Sequence, residues 1–421
     1  MKLSKTGVTM SRLTGVRAIM KDIQETLKSR GGKDTFYNFG AGNPVILSEI
    51  ENLWKDCTNQ LIDSLEYGQV IGNHGGSKGY PPLIEAVIRD FNERFSLDLN
   101  QENILITLGS QSLYLYAANT FGGYTKSGNL KNIVLPLSPD YTGYGGISFS
   151  QEALVAFKPI IEVKSEHRFK YRPDIENVKI DENTGLVLFS RPSNPTGNII
   201  TNTEVNQLVE RAAKHKVPVF IDSAYGPPYP ALNFQEMSPI FEDNVVHCAS
   251  LSKVGLAGER IGIAIGNANL IRTLESFQQT VCDHSSRYGQ AIAAKAIASG
   301  KLENLVTAVV KPFYQNKRLL MEQAIEQFMP SELPWLLHEC EGGMFSWLWF
   351  KDLPITDWEL YQELKAENVI VVPGSPFFYG FDEDWSHRHQ CIRLSFTAKP
   401  EEIHIGIEKL AKVINNVYRA S

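Results

Sequence analysis

Short apolar runs alternating with longer amphipathic stretches dominate the chain between residues 100 and 270. The runs are Ile104–Leu108, Asn132–Leu137, Leu186–Phe189, Val217–Ile221, Val245–Ala249 and Ile261–Ile265. Helical stretches lie between some of them, such as Thr203–His215 and the segment that opens at Gly109-Ser110-Gln111 and runs through Ala118. A strand without polar alternation must be covered on both faces, and helical crossovers supply that cover. The pattern therefore predicts an α/β unit built on a mostly parallel sheet sandwiched by helices.

The flanks read differently. Upstream, the periodicity predicts an amphipathic helix over residues 12–30, a glycine-rich turn at Asn38–Pro44, a helix near 48–64 and a long flexible stretch at Tyr67–Gly79. Glycines spaced as Gly40 and Gly42 let backbone approach a ligand closely. The Tyr67–Gly79 stretch is not a nucleotide P-loop, because only three residues separate Gly72 from Gly76 and Lys78 is followed by glycine. Beyond about residue 300, helices near 305–328, 355–367 and 399–418 are interleaved with the apolar segments Gly343–Phe350, Val369–Val372 and Cys391–Phe396. That is an α+β pattern. The expected division is a large unit at 46–300 and a smaller one at 301–421 that takes up residues 1–45.

Composition adds limits. The 421 residues exceed the size at which one core stops growing, about 250–300 residues, so two units fit the length. The five cysteines are scattered and show no C-x-x-C pair, which suits reduced thiols and a cytoplasmic location. A net charge of −6 without a long basic block gives no footprint for nucleic acid, so small molecules are the expected partners. The first 20 residues lack the apolar centre of a signal peptide, and no run reaches the roughly 18 apolar residues of a membrane span.

Parallel sheets bind ligands beyond the carboxyl ends of their strands. Five groups fall there: Gly109-Ser110-Gln111, Pro139-Asp140-Tyr141, Asn194-Pro195-Thr196-Gly197, Asp222-Ser223-Ala224-Tyr225 and Ser250-Leu251-Ser252-Lys253. Taken singly, Asp222 reads as a turn residue, Tyr141 and Tyr225 as core or rim aromatics, and Arg260 as a surface cation. Taken together they suit one ligand, an aromatic aldehyde that carries a phosphate. A helix N-terminus at Ser110 and Gln111 binds phosphate through free N–H groups, Ser250 and Ser252 add hydroxyls, and Arg260 adds a permanent two-pronged cation. Lys253 can form a Schiff base with the aldehyde. Asp222 can keep a pyridine nitrogen protonated, Tyr225 and Asn194 can bond a phenolate oxygen, and Tyr141 can stack on the ring. A charge pair on the order of 4 kcal/mol at intermediate dielectric holds a pyridinium across neutral pH.

His387, His389 and Cys391 alternate at strand spacing, which on a strand would put three metal-ligating side chains on one face. No fourth ligand accompanies them and Arg393 continues the same face, so no metal is expected.

The motifs S-L-S-K at 250–253 with Arg260 after it, D-S-A-Y at 222–225, S-N-P-T-G at 193–197, P-D-Y at 139–141 and G-S-Q at 109–111 together resemble the fold-type I pyridoxal-phosphate enzymes of the aspartate aminotransferase superfamily. The likeness runs from about Gly40 to Arg393. It implies a large domain with a mostly parallel seven-stranded sheet, a smaller α+β domain, and pyridoxal 5'-phosphate held as a Schiff base on Lys253. It further implies that Arg393 clamps the substrate α-carboxylate with help from Asn194 and the Gly42 backbone. Tyr67 would reach the cofactor phosphate of the partner subunit in a homodimer with shared active sites. The stretches R-P-S-N-P-T-G-N, S-L-S-K-V-G-L-A-G, V-V-K-P-F-Y, L-W-F-K-D-L-P-I-T and H-Q-C-I-R resemble the branch that exchanges amino groups between a neutral amino acid such as L-valine and pyruvate. Transfer to 2-oxoglutarate from other neutral or aromatic amino acids, or a lyase or decarboxylase reaction on the same fold, stand as alternatives. A ligand-sensing domain of this fold would carry a winged helix, for which the roughly 40 residues before Gly40 are too few. Gly343-Met344-Phe345 and residues near Tyr144 are expected to line the side-chain pocket.

Overall fold

The computed structural model describes residues 1–11, 15–29, 36–381 and 383–420. Its larger sheet runs Ile104–Leu108, Ile261–Gly266, Val245–Ser250, Val219–Asp222, Thr184–Ser190, Leu130–Leu135. The outer edge of Leu130–Leu135 is shared by two short strands, Gly123–Tyr124 and Leu154–Ala156. The expected seven strands are thus eight in the structure, because the seventh rank is split in two. Pairing is parallel from Leu154–Ala156 across to Val245–Ser250, and antiparallel on both sides of Ile261–Gly266.

Strand alternation divides the apolar residues between two cores. Leu105, Leu186, Leu188, Phe220, Val246 and Cys248 pack on one face with the helices Ser110–Phe121 and Ala268–Cys282. Ile104, Val187, Phe189, Val219, Ile221 and Val245 pack on the other with Pro81–Phe95, Asn202–Lys214 and Arg287–Ala298. Each such side chain contributes about 1.5–3 kcal/mol by leaving water. Helix starts are set locally: Thr201 and Glu204 form a reciprocal capping box for Asn202–Lys214, as Thr356 and Glu359 do for Asp357–Ala366.

Register aligns the strand ends. Ser190 sits opposite Asp222, and Asp222 opposite Cys248, two residues short of Ser250. Ile261 sits opposite Leu108, which delivers Arg260 to the same edge beside Gly109.

A second, six-stranded sheet runs Val372–Pro373, Cys391–Ser395, Phe345–Phe350, Trp335–His338, Arg168–Pro173, Pro159–Ser165. Its last two strands come from inside the segment expected to form the large unit, so hydrogen bonding does not follow the 46–300 boundary. Glu162, Lys164, Lys170 and Arg172 break any apolar run in that hairpin, and its pairing partner lies more than 160 residues away in sequence. The Val369–Val372 run is also divided: Val369–Ile370 pairs with Tyr37–Asn38, and Val372–Pro373 pairs with Cys391–Ser395.

Two further expectations change upstream. Tyr67–Gly79 is not one flexible stretch, since Tyr67–Gly72 is helical with Val70 buried. The helix expected over 12–30 is Gly15–Ser29, a separate helix Lys5–Ser11 precedes it, and residues 12–14 and 30 lie outside the described residues.

Candidate active site

The aligned strand ends border a cavity of about 620 Å³. It is lined by Gly42, Ser110, Gln111, Tyr141, Asn194, Asp222, Tyr225, Ser250, Ser252, Lys253, Arg260 and Arg393. Of the cofactor, substrate and pocket residues expected from sequence, Gly109, Tyr67, Tyr144 and the segment Gly343-Met344-Phe345 are outside that lining.

One end is built for an anion. Gly109 precedes the helix Ser110–Phe121 with φ +76° and ψ 160°, a region open to glycine, and a Cβ there would lie 2.6 Å from Arg260 Nη2. The missing side chain is what lets the guanidinium lie against the helix N-terminus. Ser250 and Ser252 are linked there, Oγ to Oγ at 3.1 Å, and the Ser252 N–H donates to Ser250 Oγ at 3.2 Å. The Gln111 side chain is engaged elsewhere, its Nε2 donating to the Gly143 carbonyl at 3.1 Å and propping the turn Thr142–Gly146. What it offers the cavity is the backbone amide of a first helical turn.

Asp222 is buried. Its Oδ2 accepts from Tyr144 Oη at 2.7 Å and its Oδ1 from the Ala224 N–H at 2.9 Å. Burial pushes the carboxyl up from its ordinary value, and the hydrogen bonds from Tyr144 and Ala224 oppose that push. Of the residues near Tyr144 expected to line the side-chain pocket, Thr142 borders the cavity, whereas Tyr144 itself is fully buried under the site, holding Asp222 and meeting the Tyr141 ring edge-on at 5.3 Å.

Lys253 is half-buried, with Nζ donating to the Gly42 carbonyl at 2.8 Å and lying 5.5 Å from the Tyr225 ring centre. Burial lowers its pKa to about 8, helped by the nearby Arg393 and Arg260 charges and opposed by Asp222. The Tyr225 phenol is buried and pushed upward, chiefly by burial.

Arg393 is buried beside them. It donates to Asn194 Oδ1 at 2.9 Å and to the Gly40 carbonyl at 3.2 Å, and has no ion-pair partner among the described residues. Its Nε has no hydrogen-bond partner either, and burial lowers its pKa to about 10. A desolvated guanidinium without an acid is costly by itself and is relieved by a bound carboxylate. Phe345 was expected to line the pocket, but it backs the arginine at 4.1 Å and the Tyr225 ring at 6.0 Å. The apolar wall comes from Ile19 and Ile23 of Gly15–Ser29, with Val372 and Phe377. Sequence reasoning missed this wall: the i, i+4 spacing of the two isoleucines signals an apolar helix face but not what that face meets.

The His387, His389 and Cys391 alternation is not a strand face. Ser386–His389 is a 3-10 turn, His389 Nδ1 lies 3.4 Å from Asp357, and Cys391 Sγ lies 3.8 Å from His387 Nε2. The five cysteines are free thiols, and no helix of the described residues is long and apolar enough to cross a membrane.

The donor set fits a phosphorylated pyridine aldehyde: an anion cradle, a buried carboxylate, and a lysine within electrostatic reach of both. The unpaired buried Arg393 adds a place for a second anion.

Comparison with known proteins agrees. Residues 35–410 match the family model for aminotransferase class I and II, and the chain belongs to that family. It is thereby a fold-type I, pyridoxal-phosphate-dependent transferase. Over its full 421 residues it is 36% identical to the valine–pyruvate aminotransferase of Escherichia coli strain K12, covering 100% of both chains. The valine–pyruvate aminotransferase structure from Salmonella typhimurium LT2 superposes with TM-score 0.86 at 35% identity, over 96% of this chain and 100% of that one. A putative amino-acid aminotransferase from Psychrobacter arcticum 273-4 superposes with TM-score 0.94 at 33% identity over 100% of both.

Proposed function

We propose that the protein transfers the amino group between L-valine, or a similar neutral amino acid, and pyruvate, with L-alanine and a 2-oxo acid as products. The observation that carries this reading is the charge inventory of the cavity. Among the described lining residues the cations are Lys253, Arg260 and Arg393, one each for aldehyde, phosphate and α-carboxylate. No cation remains in the lining for a distal carboxylate, and the facing wall is aliphatic and aromatic.

Pyridoxal phosphate, once bound, supplies the electron sink for the carbanion formed at the substrate α-carbon. The residues of this chain do the rest. Lys253 would hold the aldehyde covalently and, once freed from it, would carry the α-proton. Its lowered pKa of about 8 keeps a useful fraction of neutral amine near neutral pH. Asp222, held by Tyr144 and Ala224, keeps the ring nitrogen protonated. Arg260, Ser110, Ser250 and Ser252 hold the phosphate, Tyr225 and Asn194 the ring oxygen, and Tyr141 the ring face. Arg393, with Asn194 and Gly42 beside it, orients the substrate carboxylate.

The assembly that goes with this reading is a cytoplasmic homodimer in which Tyr67 completes the partner's phosphate site. Its support is the position of Tyr67 outside its own cavity, with the exposed apolar Leu65 and Ile71 on the same stretch.

The test is to add single amino acids to the purified holoenzyme and follow the bound-cofactor absorbance, then add pyruvate or 2-oxoglutarate. Bleaching by valine and recovery with pyruvate are expected. Recovery with 2-oxoglutarate alone, or product formation without recovery, would replace the reading by another transaminase or by a lyase.

A further inference from the structure

Asp140 and Tyr379 are outside the cavity lining, yet both hold the residue assigned to the ring face. Asp140 is buried. Its Oδ1 accepts from the Tyr141 N–H at 2.7 Å and from Ser190 Oγ, and its Oδ2 accepts from the Ser190 N–H at 3.0 Å. On the other side of the same residue, Tyr379 Oη donates to the Tyr141 carbonyl at 2.7 Å. Both peptide groups of Tyr141 are therefore pinned, one from within its own loop and one from a segment more than 230 residues further on.

That distant segment also forms part of the substrate side. The Asp140 N–H donates to the Phe377 carbonyl at 3.2 Å, and the Phe377 ring lies 5.3 Å from the Arg393 guanidinium. The Ala156 N–H donates to the Gly380 carbonyl at 2.9 Å, so residues 377–380 are bonded at three points to the strand Leu154–Ala156 and the loop that follows Leu130–Leu135. Two of the three converge on Asp140-Tyr141. The Tyr379 ring packs so near Gly145 that a Cβ there would meet it at 3.4 Å, which leaves the phenol little room to turn away.

We propose that Asp140 and Tyr379 are positioning residues that clasp Tyr141 and couple the wall over the carboxylate-binding arginine to the face of the cofactor ring. The coupling is reciprocal by linkage: a carboxylate seated on Arg393 and a cofactor stacked on Tyr141 each favour the same bonded arrangement of residues 377–380. The inference rests on the cofactor reading of the cavity and is independent of which amino acid is preferred.

The experiment compares wild type with Tyr379→Phe, which removes one hydroxyl and keeps the ring, and with Asp140→Asn. Cofactor affinity is measured by titrating apo-protein with pyridoxal phosphate, and ring orientation by the dichroism of the bound cofactor. Substrate-side coupling is read from the affinity of the holoenzyme for isovalerate, an unreactive carboxylate. In Tyr379→Phe the loss of one hydrogen bond should weaken cofactor about fivefold, reduce the dichroic band and weaken isovalerate in parallel. In a Tyr141→Ala background the same change should have no further effect, because Tyr379 then has no ring to position. Affinities and dichroism unchanged in Tyr379→Phe would overturn the clasp, as would an undiminished effect in the Tyr141→Ala background. If Asp140→Asn fails to fold, Tyr379→Phe alone decides. Wild-type apo-protein that takes up no pyridoxal phosphate would overturn the cofactor reading and the clasp together.

Discussion

Lys253 is the residue on which environment acts most directly. An ordinary lysine titrates at 10.5, and here burial and two arginines bring the value to about 8. The folded chain therefore binds fewer protons than the unfolded chain between those limits. Burying the ammonium costs stability below pH 8, and the cost is relieved as pH rises toward 10.5. In the proposed role of Lys253 the same shift governs chemistry, since a neutral amine would be the nucleophile. Covalent capture of pyridoxal phosphate by apo-protein should rise with pH around a midpoint near 8, followed by absorbance, and a midpoint above 10 would contradict the site geometry. Asp222 carries the second residue-scale prediction. Tyr144→Phe removes a hydrogen bond to a carboxylate, worth about 1.5–3 kcal/mol, so amino-donor half-reaction rates should fall roughly tenfold to a hundredfold. Asp222 could be picked out in the sequence by its place after a strand. Tyr144 could not be assigned, because which way a turn aromatic points depends on packing from the helix Ser110–Phe121, where Tyr114 meets it at 5.2 Å.

At the scale of elements, the helix Ser110–Phe121 turns backbone geometry into an anion site. Its start was legible, since a strand ending in Gly-Ser-Gln announces a turn followed by free amides. The reason for glycine at 109 was not, because it lies in contact with Arg260, 151 positions away, set by the antiparallel pairing of Ile261 with Leu108. Gly109→Ala should place a Cβ against the guanidinium at a backbone conformation costing about 1–3 kcal/mol for other residues. The expected result is weaker pyridoxal-phosphate binding with little change in the KM ratio between amino acids, measured by cofactor titration and steady-state kinetics. The Gly15–Ser29 helix shows the reverse case. Its amphipathic period was plain, but that Ile19 and Ile23 face the cavity follows only from where the chain folds back.

At the scale of the whole molecule, the site lies where residues at the ends of the eight-stranded sheet meet the six-stranded one: Lys253, Asp222 and Arg260 from the first, Arg393 from the second. The proposed assembly adds a third contributor, Tyr67 of a second copy. Inactive Lys253→Ala and Tyr67→Ala proteins, unfolded together and refolded as a mixture, should regain activity in hybrid dimers. One native site per hybrid gives up to about a quarter of the wild-type rate. No recovery would remove the shared site.

The sequence by itself determined the alternation of buried strands and covering helices, the strand-end groups around Lys253 and Asp222, and the family likeness those groups carry. Each is a local pattern: apolar period, turn chemistry, or residue type at a short spacing. Tertiary structure alone decided the split seventh strand rank, the hairpin 159–173 joining the second sheet, the support of Asp222 by Tyr144, and the wall made by Ile19 and Ile23. These depend on register and packing between segments far apart in the chain, and no local window of residues contains both partners.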